Sequence, residues 1–398
     1  MTPAYALDWL NLLVRWFHFV AGISWIGASF YFVWLDNHLV APLKRDDAEE
    51  GVCGELWSVH GGGFYHNQKY LTGPTREPLT HDLHWFKWEA YSTWISGIAL
   101  MAIVYWAGAR TYLIDPSVMA LSPSAAIAIS IASLFIGWFV YDGLCRVLER
   151  RPRLLAASIA LFLIFTSWAL YHVFSGRAAF LHVGAIIGTI MAANVFFVII
   201  PGQRRMLAQI RAGQRPDPRP GMLGKMRSVH NTYLTLPVLF LMISNHYPML
   251  YSGAYGWLVL VALAAAGVLV RYFFILTHKA RLVWALPAAA AVVIVATAIS
   301  LAPRMTASAG ATPVSFAQVA PIFAQRCAVC HAAHPTQPGF DVAPAGVLLD
   351  TPAHIAANAP RVLAQAVQTQ AMPLGNVTGM TQAERTLVGT WIDQGAKI

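Results

Sequence analysis

Two cysteines and a histidine close to the C-terminus have the spacing that attaches a haem to a polypeptide. Cys327, Cys330 and His331 form the pattern C-x-x-C-H. In this pattern two thiols on one helical turn add to the two vinyl groups of a haem, and the next imidazole lies beneath the iron. A redox pair or half of a zinc site would also use C-x-x-C, but the sequence contains no second one. The motif therefore predicts one covalent haem c, held by Cys327 and Cys330, with His331 as an iron ligand.

The sixth iron ligand is expected to be a methionine further along the chain. Met372 precedes a Pro-Gly loop that can hold a thioether over a haem face, and it is the first choice. Met380 is the alternative, but it stands just before a capping-box pattern, Thr381 to Glu384, that predicts a helix start. Because His/Met ligation raises the reduction potential of a haem, the C-terminal segment is predicted to accept electrons.

Histidines also occur within apolar stretches, where ionisable groups are costly and often functional. His18 is followed by Ala21 and Gly22, whose small size lets a flat macrocycle or another helix come close. We predict a haem b on His18, with His246 as the first choice for its second ligand and His182 as another. Ordinary helix packing, with His18 bonded to a neighbouring carbonyl, is the alternative interpretation.

A second group of polar residues gathers towards the other ends of the apolar stretches. His60 and His66 flank three glycines, which let a backbone approach a ligand closely, although such a run is most often only a flexible loop. Other members of this group include Lys87, Glu89, Asp142, His230, Asn231 and Arg271.

The composition indicates that the elements carrying these residues lie in a membrane. Only 11% of the 398 residues are charged and 57% are hydrophobic, whereas soluble proteins carry roughly 25% charged residues. A membrane span needs about 20 mostly apolar residues, and eight such windows can be placed. They cover residues 9–36, 86–108, 124–146, 154–173, 180–201, 229–247, 255–277 and 282–302.

Beyond the last window the chain becomes polar. We predict an all-α protein with a polytopic eight-helix transmembrane bundle over 1–305, a linker at 306–313, and a small all-α domain like a class I cytochrome c over 314–398. The N-terminus lacks the basic lead and cleavage site of a secretory signal, so the first span is expected to remain. Cys53 and Cys145 are expected to be free thiols.

Lysine and arginine are divided unequally between the loops. They concentrate in the loops at 37–85, 147–153, 202–228 and 278–281. The positive-inside rule then places these loops in the cytoplasm, and both the N-terminus and the C-terminal domain in the periplasm of a bacterial inner membrane. Covalent haem attachment takes place on that outer face, so the C-x-x-C-H motif and the charge distribution predict the same location for the C-terminal domain. The same bias accounts for the formal net charge of +9, so a lipid membrane is predicted as a partner and nucleic acid is not.

Several motifs resemble the bacterial membrane-bound urate oxidase (urate hydroxylase) family, which joins an eight-span domain to a C-terminal cytochrome c. They are Trp16-Phe-His18-Phe-Val-Ala-Gly22-Ile-Ser-Trp25-Ile-Gly27, His60-Gly-Gly-Gly-Phe-Tyr-His66, His84-Trp-Phe-Lys-Trp-Glu89-Ala-Tyr, His230-Asn-Thr-Tyr and Ser244-Asn-His246-Tyr-Pro248. The resemblance implies the two-electron oxidation of urate with water to 5-hydroxyisourate. It also implies that the electrons leave through haem c to a soluble cytochrome c or a terminal oxidase.

The chemistry of urate indicates which roles the polar residues would have. A flat anion rich in amide-like groups requires an arginine, amides and aromatic faces, so Asn231 and Arg271 are predicted to bind it. The predicted catalytic bases are His60, His66, Glu89 and His230. If urate reacts near the cytoplasmic face, its electrons must cross much of a hydrocarbon core of about 30 Å. The predicted haem b on His18 and His246 would relay them, whereas oxidation directly beneath haem c is the alternative.

Two other functions remain open on the sequence. One is a non-catalytic membrane-anchored cytochrome c that carries electrons between a quinol pool and an oxidase, which would also use transmembrane haem. The other is a metal or solute transporter with a redox tail, favoured only if the cytoplasmic histidines bind copper.

Overall fold

The computed structural model describes residues 3–74, 79, 82–302, 312–338 and 340–398, and it is mostly helical. A helix coincides with each of the eight apolar windows. The helices of this part are α1 (Pro3–His38), α2 (Arg45–Glu49), α3 (Trp88–Leu100), α4 (Ala109–Tyr112), α5 (Pro123–Val147), α6 (Pro152–Tyr171), α7 (Gly176–Ala193), α8 (Ile200–Arg211), α9 (Arg219–Ile243), α10 (Gly256–Thr277) and α11 (Ala285–Ser300). A π-helical turn, Met101–Trp106, continues α3, and a second one, Asn194–Ile199, joins α7 to α8.

Five helices in the described part of the chain are long and apolar enough to cross a membrane. They are Ala6–His38, Pro123–Val147, Pro152–Tyr171, the continuous run Gly176–Arg211, and Gly256–Thr277. Helix α11 has 16 residues, and the first turns of α9 carry Arg219, Lys225 and Arg227. Eight spans therefore remain a prediction, whereas several long apolar helices compatible with membrane insertion are observed.

Helix α7 forms the centre of the bundle and packs against α3, α5, α6 and α9. Phe180, Val183 and Ile186 on this helix are almost completely buried. Glycines allow the close approach: a Cβ at Gly184 would lie 2.9 Å from the side chain of Leu241 in α9. Helix α1 lies at the edge against α3. We call the end of the bundle at which α1 begins the outer end, and the end at which α1 stops the inner end.

The segment after α1 contains a β-hairpin, which corrects the all-α prediction there. Strand β1 (Val52–His60) pairs antiparallel with β2 (Gly63–Tyr70). The two residues between them, Gly61 and Gly62, have φ of 58° and 82°, and positive φ at both positions is what a two-residue type I′ turn needs. Aromatic and β-branched residues in both arms favour strands. The glycines therefore form a hairpin turn.

Acid is expected to open this hairpin, because a buried carboxylate holds it. Glu55 accepts hydrogen bonds from the Leu43 main-chain N–H (2.8 Å) and from His66 Nε2 (2.9 Å), and these bonds hold the pKa of Glu55 below its ordinary value. A lowered pKa means that the stabilisation is complete above about pH 4.5 and disappears as the pH falls through the lowered value. Hydrogen exchange in Val52–His60, corrected for intrinsic rates, should accelerate below pH 4.5. Glu55→Gln should exchange fast at both pH values, and equal wild-type protection at pH 6.5 and 3.5 would contradict this.

The C-terminal part is a separate small helical unit, and its described portion agrees with the all-α prediction. Its helices are α12 (Phe316–Ile322), α13 (Pro352–Ala357), α14 (Ala359–Val362) and α15 (Gln382–Asp393), with π-helical turns at Phe323–Cys327 and Leu363–Gln368. Thr381 and Glu384 form the predicted capping box. The rings of Phe323 and Trp391 lie 5.8 Å apart in the core. Most of the predicted linker, 306–311, lies outside the described residues.

The C-terminal unit rests on the outer end of the bundle. Its turn Leu374–Asn376 packs against α4. Gly375 has φ of 58°, and a Cβ there would lie 2.5 Å from the Thr111 carbonyl oxygen and 3.2 Å from that of Ile114. A side chain would collide with this main chain, so glycine permits the contact.

Candidate functional site

A large cavity runs through the bundle between α1, α3, α7 and α9. Its volume is about 1140 Å³, somewhat above the range of about 300–1,000 Å³ that is usual for ligand pockets. Four of the predicted site residues, His18, Glu89, Asn231 and His246, lie on its wall. The space is therefore sufficient for a purine and leaves room for a further group.

The depth of each residue in the cavity follows from its helix. His18 of α1 packs on Gly97 of α3, where a Cβ would lie 3.1 Å from His18 Cε1. At a rise of 1.5 Å per residue, Glu89 lies about 12 Å inward of Gly97 and Tyr105 about 12 Å outward. His18 thus marks the middle of the cavity, Glu89 its inner end and Tyr105 its outer end.

His18 has the surroundings of a ligand imidazole. Its Nδ1 lies 3.0 Å from the Thr93 carbonyl oxygen and 3.0 Å from Ser96 Oγ. A metal-ligating histidine usually donates one ring nitrogen to such a carbonyl and offers the other to the metal. Within the described residues, nothing lies within 4 Å of a Cβ added at Gly22 or Gly188 on the same cavity. The donor and the open space fit a planar macrocycle.

The two predicted partners of His18 differ. Both ring nitrogens of His182 are engaged, because Nδ1 lies 2.7 Å from the Ala178 carbonyl oxygen and Nε2 lies 2.7 Å from Ser130 Oγ. His182 is fully buried and is a structural residue. His246 lines the outer part of the cavity and is exposed, so of the two it is the one that can reach a ligand.

A buried hydrogen-bond chain supports the inner wall of the cavity. Asn194 Nδ2 donates to Asn231 Oδ1 (2.9 Å) and to the Tyr141 hydroxyl (3.0 Å), which lies 2.8 Å from His230 Nδ1. Asn231 Nδ2 donates to the Met191 carbonyl at 3.0 Å. Asn194 begins the π-helical turn, and such turns are frequent at functional sites. His230 is therefore linked to the cavity wall through Tyr141 and Asn194 and does not itself line the cavity.

An ion pair closes this chain on the side away from the cavity. Arg227 is 3% exposed, and its NH2 donates to Asp142 Oδ1 at 2.6 Å while NH1 donates to Asn194 Oδ1 at 3.3 Å. Arg146 donates to the other oxygen of Asp142 at 2.6 Å from a largely exposed position. The pair fixes α5, the π-helical turn and α9 relative to one another.

The remaining predicted site residues lie elsewhere. Arg271 is buried with its guanidinium 4.0 Å from the Phe30 ring centroid, outside the cavity lining. His60 lies at the hairpin tip, and His66 stacks on Trp57 with ring centroids 4.3 Å apart. The structure therefore brings Glu89 and Asn231 to one cavity and does not bring His60, His66 or Arg271 there.

Three polar residues at the outer end of the cavity were not predicted. Arg177, Tyr105 and Asn245 all line it, and in the described part of the chain Arg177 Nε, the Tyr105 hydroxyl and Asn245 Oδ1 are buried without a hydrogen-bond partner. On the sequence, the signal that marks Arg177 is the scarcity of basic residues on this side. Asn245 lies within the motif Ser244-Asn-His246-Tyr-Pro248 that carries the family resemblance, and Tyr105 has no comparable signal.

The C-x-x-C-H segment has the local geometry that haem attachment needs. The His331 N–H donates to the Cys327 carbonyl (2.9 Å), so both cysteines and the histidine share one helical turn. His331 Nδ1 lies 2.9 Å from the Val347 carbonyl oxygen, which leaves Nε2 for an iron. Burial raises the pKa of the Cys327 thiol to about 12, whereas a redox C-x-x-C pair depends on a lowered one. Among the described residues no three His, Cys, Asp or Glu side chains converge as a metal site.

Of the two candidate methionines, Met372 is held more like a ligand. Its N–H donates to the Gln365 carbonyl at 2.9 Å, and its carbonyl accepts from Arg385 NH1 at 2.6 Å. It is half-buried against the core of the C-terminal unit. Met380 is 3% exposed and forms part of that core, which gives its side chain a structural role.

Replacing Met372 should lower the reduction potential of the bound haem. His/Met ligation raises that potential. Met372→Ala should therefore shift the midpoint potential of the haem strongly negative and slow its acceptance of electrons. Met380→Leu conserves volume in the core and is the control. Spectroelectrochemical titration of the full chain measures both. A negative shift confined to Met380→Leu would assign the ligand to Met380.

The fold and cavity define a class of protein: a helical bundle with several long apolar helices, an internal polar-lined cavity and a small helical C-terminal unit. The family model described as urate oxidase N-terminal matches residues 4–302. The chain therefore belongs to this family, which supports an oxidoreductase acting in urate metabolism. No curated protein and no solved structure matches the chain significantly.

Proposed function

We propose that the chain is a membrane-bound urate oxidase of the bacterial inner membrane that delivers electrons to a haem c on its own C-terminal unit. The observation that carries the proposal is that the family match covers the helices enclosing the cavity. The C-x-x-C-H turn follows in the same chain, in a unit that rests on the outer end of those helices. One chain thus combines a substrate cavity with an electron acceptor.

The reaction needs few groups from the protein. Urate monoanion and water give neutral 5-hydroxyisourate, one proton and two electrons. A covalent haem c held by Cys327, Cys330, His331 and Met372 would supply a one-electron acceptor, so the electrons leave singly to a soluble cytochrome c or terminal oxidase. The bundle excludes bulk water and orients the purine. A base on the cavity wall takes the proton; if urate reacts at the inner end, that base is Glu89, the member of the predicted catalytic set that lines the cavity.

A second haem is required only if urate reacts at the inner end. Glu89 and Tyr105 are 16 residues apart, which corresponds to about 24 Å along the helix, and electrons do not cross such a distance at useful rates without a relay. His18 and His246 would hold a haem b there, and it would supply that relay. Their place on one cavity supports the donor set.

Anaerobic addition of urate to the purified, oxidised full-length protein tests the proposal. Urate alone should reduce the c-type absorbance, and the solution should accumulate 5-hydroxyisourate. Reduction by a quinol but not by urate would instead establish a membrane-anchored electron carrier. Acid–acetone extraction of the same sample tests the relay: extractable haem that disappears in His18→Ala supports haem b, and its absence from the wild type excludes haem b.

A further inference from the structure

The polar groups of the cavity fall into two sets, those already satisfied and those still awaiting a partner. At the inner end Asn231 uses both its amide oxygen and its amide nitrogen within the protein, whereas Glu89 Oε2 is buried without a hydrogen-bond partner among the described residues. At the outer end Arg177 Nε, the Tyr105 hydroxyl and Asn245 Oδ1 are buried and unpartnered among the described residues. Buried polar groups in native proteins nearly always have a hydrogen-bond partner, and leaving such a group without one costs roughly 1–3 kcal/mol. Three such atoms gathered at the outer end indicate a ligand there, whereas Glu89 contributes a single atom at the inner end.

The kinds of atom specify that ligand. Arg177 Nε is a donor, Asn245 Oδ1 is an acceptor, and the Tyr105 hydroxyl is both. Arg177 lies near enough to turn a guanidinium N–H towards that hydroxyl, and the charges of Arg177 and Arg15 lie close to it, so the site favours an anion. A carboxylate, such as a haem propionate, offers only acceptors and would leave Asn245 unsatisfied. A purine anion offers carbonyl acceptors and ring N–H donors in one plane.

The outer end is also the end closest to the electron acceptor. The chain runs from Tyr105 directly into α4, whose Thr111 main chain meets Gly375 of the C-terminal unit. The Arg177 guanidinium lies 5.3 Å from the ring centroid of Tyr112 in the same short helix. Gly375 lies three residues after Met372, the expected iron ligand. One short helix therefore separates the unsatisfied polar groups from the methionine loop.

We propose that urate binds at the outer end of the cavity, with Arg177, Tyr105 and Asn245 as its polar contacts. This placement rests on the proposed function and deepens it. His246 follows Asn245 in the chain and lines the same end, so it is the imidazole available there to take the proton from water. Electrons then pass to the C-terminal unit without crossing the bundle, and no second haem is needed.

Equilibrium dialysis of labelled urate against the dithionite-reduced full-length protein tests the placement, because a reduced acceptor prevents turnover. Arg177→Gln removes a charge-assisted hydrogen bond and should raise the Kd by about tenfold or more, and Tyr105→Phe should raise it by roughly three- to tenfold. Arg110→Gln, at an exposed arginine on the same side, is the matched control and should leave the Kd unchanged. Arg177→Lys keeps the charge, so its Kd should fall between those of the wild type and Arg177→Gln. An intermediate Kd would show that the loss in Arg177→Gln is not a folding defect.

A variant at the inner end separates a wrong placement of urate from a wrong proposed function. Glu89→Gln should change the Kd by less than about threefold, since Glu89 lies about 24 Å away along the helix. A tenfold loss in Glu89→Gln with normal binding in Arg177→Gln would overturn the outer placement and move urate to the inner end. If the wild-type protein binds no urate and urate fails to reduce it, the proposed function itself is wrong.

Discussion

The double variant Cys327→Ala/Cys330→Ala should lose covalent haem c and nearly all of its urate-dependent electron delivery. The two thiols lie on one turn with His331, and without thioether bonds the haem has no covalent attachment. The loss should be near complete because the haem is the expected acceptor of both electrons of urate oxidation. Haem staining of a denaturing gel and anaerobic urate reduction of the visible spectrum measure the two effects.

A matched cysteine control comes from the hairpin. Cys53 is an exposed free cysteine, so Cys53→Ala removes a thiol without touching the motif, and it should retain haem c and turnover. The double variant should still bind urate, since the cavity lies in the bundle. Wild-type rates of urate oxidation in the double variant would show that electrons leave by another route.

Arg227→Gln should destabilise the bundle far more than Arg146→Gln, although both arginines bind Asp142. Removing one partner of a buried ion pair costs about 3–5 kcal/mol, because the remaining charge stays buried. The Arg227 side chain is 4% exposed, whereas that of Arg146 is 76% exposed. An exposed pair contributes at most about 1 kcal/mol. Arg227→Gln should therefore lower the thermal midpoint in detergent by many degrees, and Arg146→Gln by little.

The same pair of variants tests the support of the cavity wall. Arg227 holds Asn194, and Asn194 holds Asn231 on the cavity. Arg227→Gln should therefore also weaken urate oxidation at temperatures where it remains folded. Equal losses of stability in the two variants would show that burial of Arg227 is not the source of the effect.

Much of the architecture is visible in the sequence because long apolar runs have few alternatives. A run of about 20 apolar residues in a membrane must satisfy its own backbone, and the α-helix does so locally. Each predicted window coincides with a helix for that reason, and the Thr381 capping box starts α15 as predicted. The hairpin was missed because its two strands meet at three glycines that also suit a flexible loop.

The site was less predictable, because neighbours in sequence point in different directions on a helix. His230 and Asn231 are adjacent, yet Asn231 lines the cavity and His230 meets Tyr141, since successive helical residues are turned by about 100°. His182 is a candidate ligand on the sequence, whereas in the structure Ser130 and the Ala178 carbonyl occupy both its ring nitrogens.

The amino-acid sequence alone determined the apolar helices and the C-x-x-C-H turn, because each depends on residue types over one short stretch. It also carried the family relationship, through motifs spread along the chain. Only the tertiary structure decided which polar groups meet one another and which are left unpaired. Tyr105, Arg177 and Asn245 come from three separate helical segments, and their unpartnered atoms become a common site only once α3, α7 and α9 pack around one cavity.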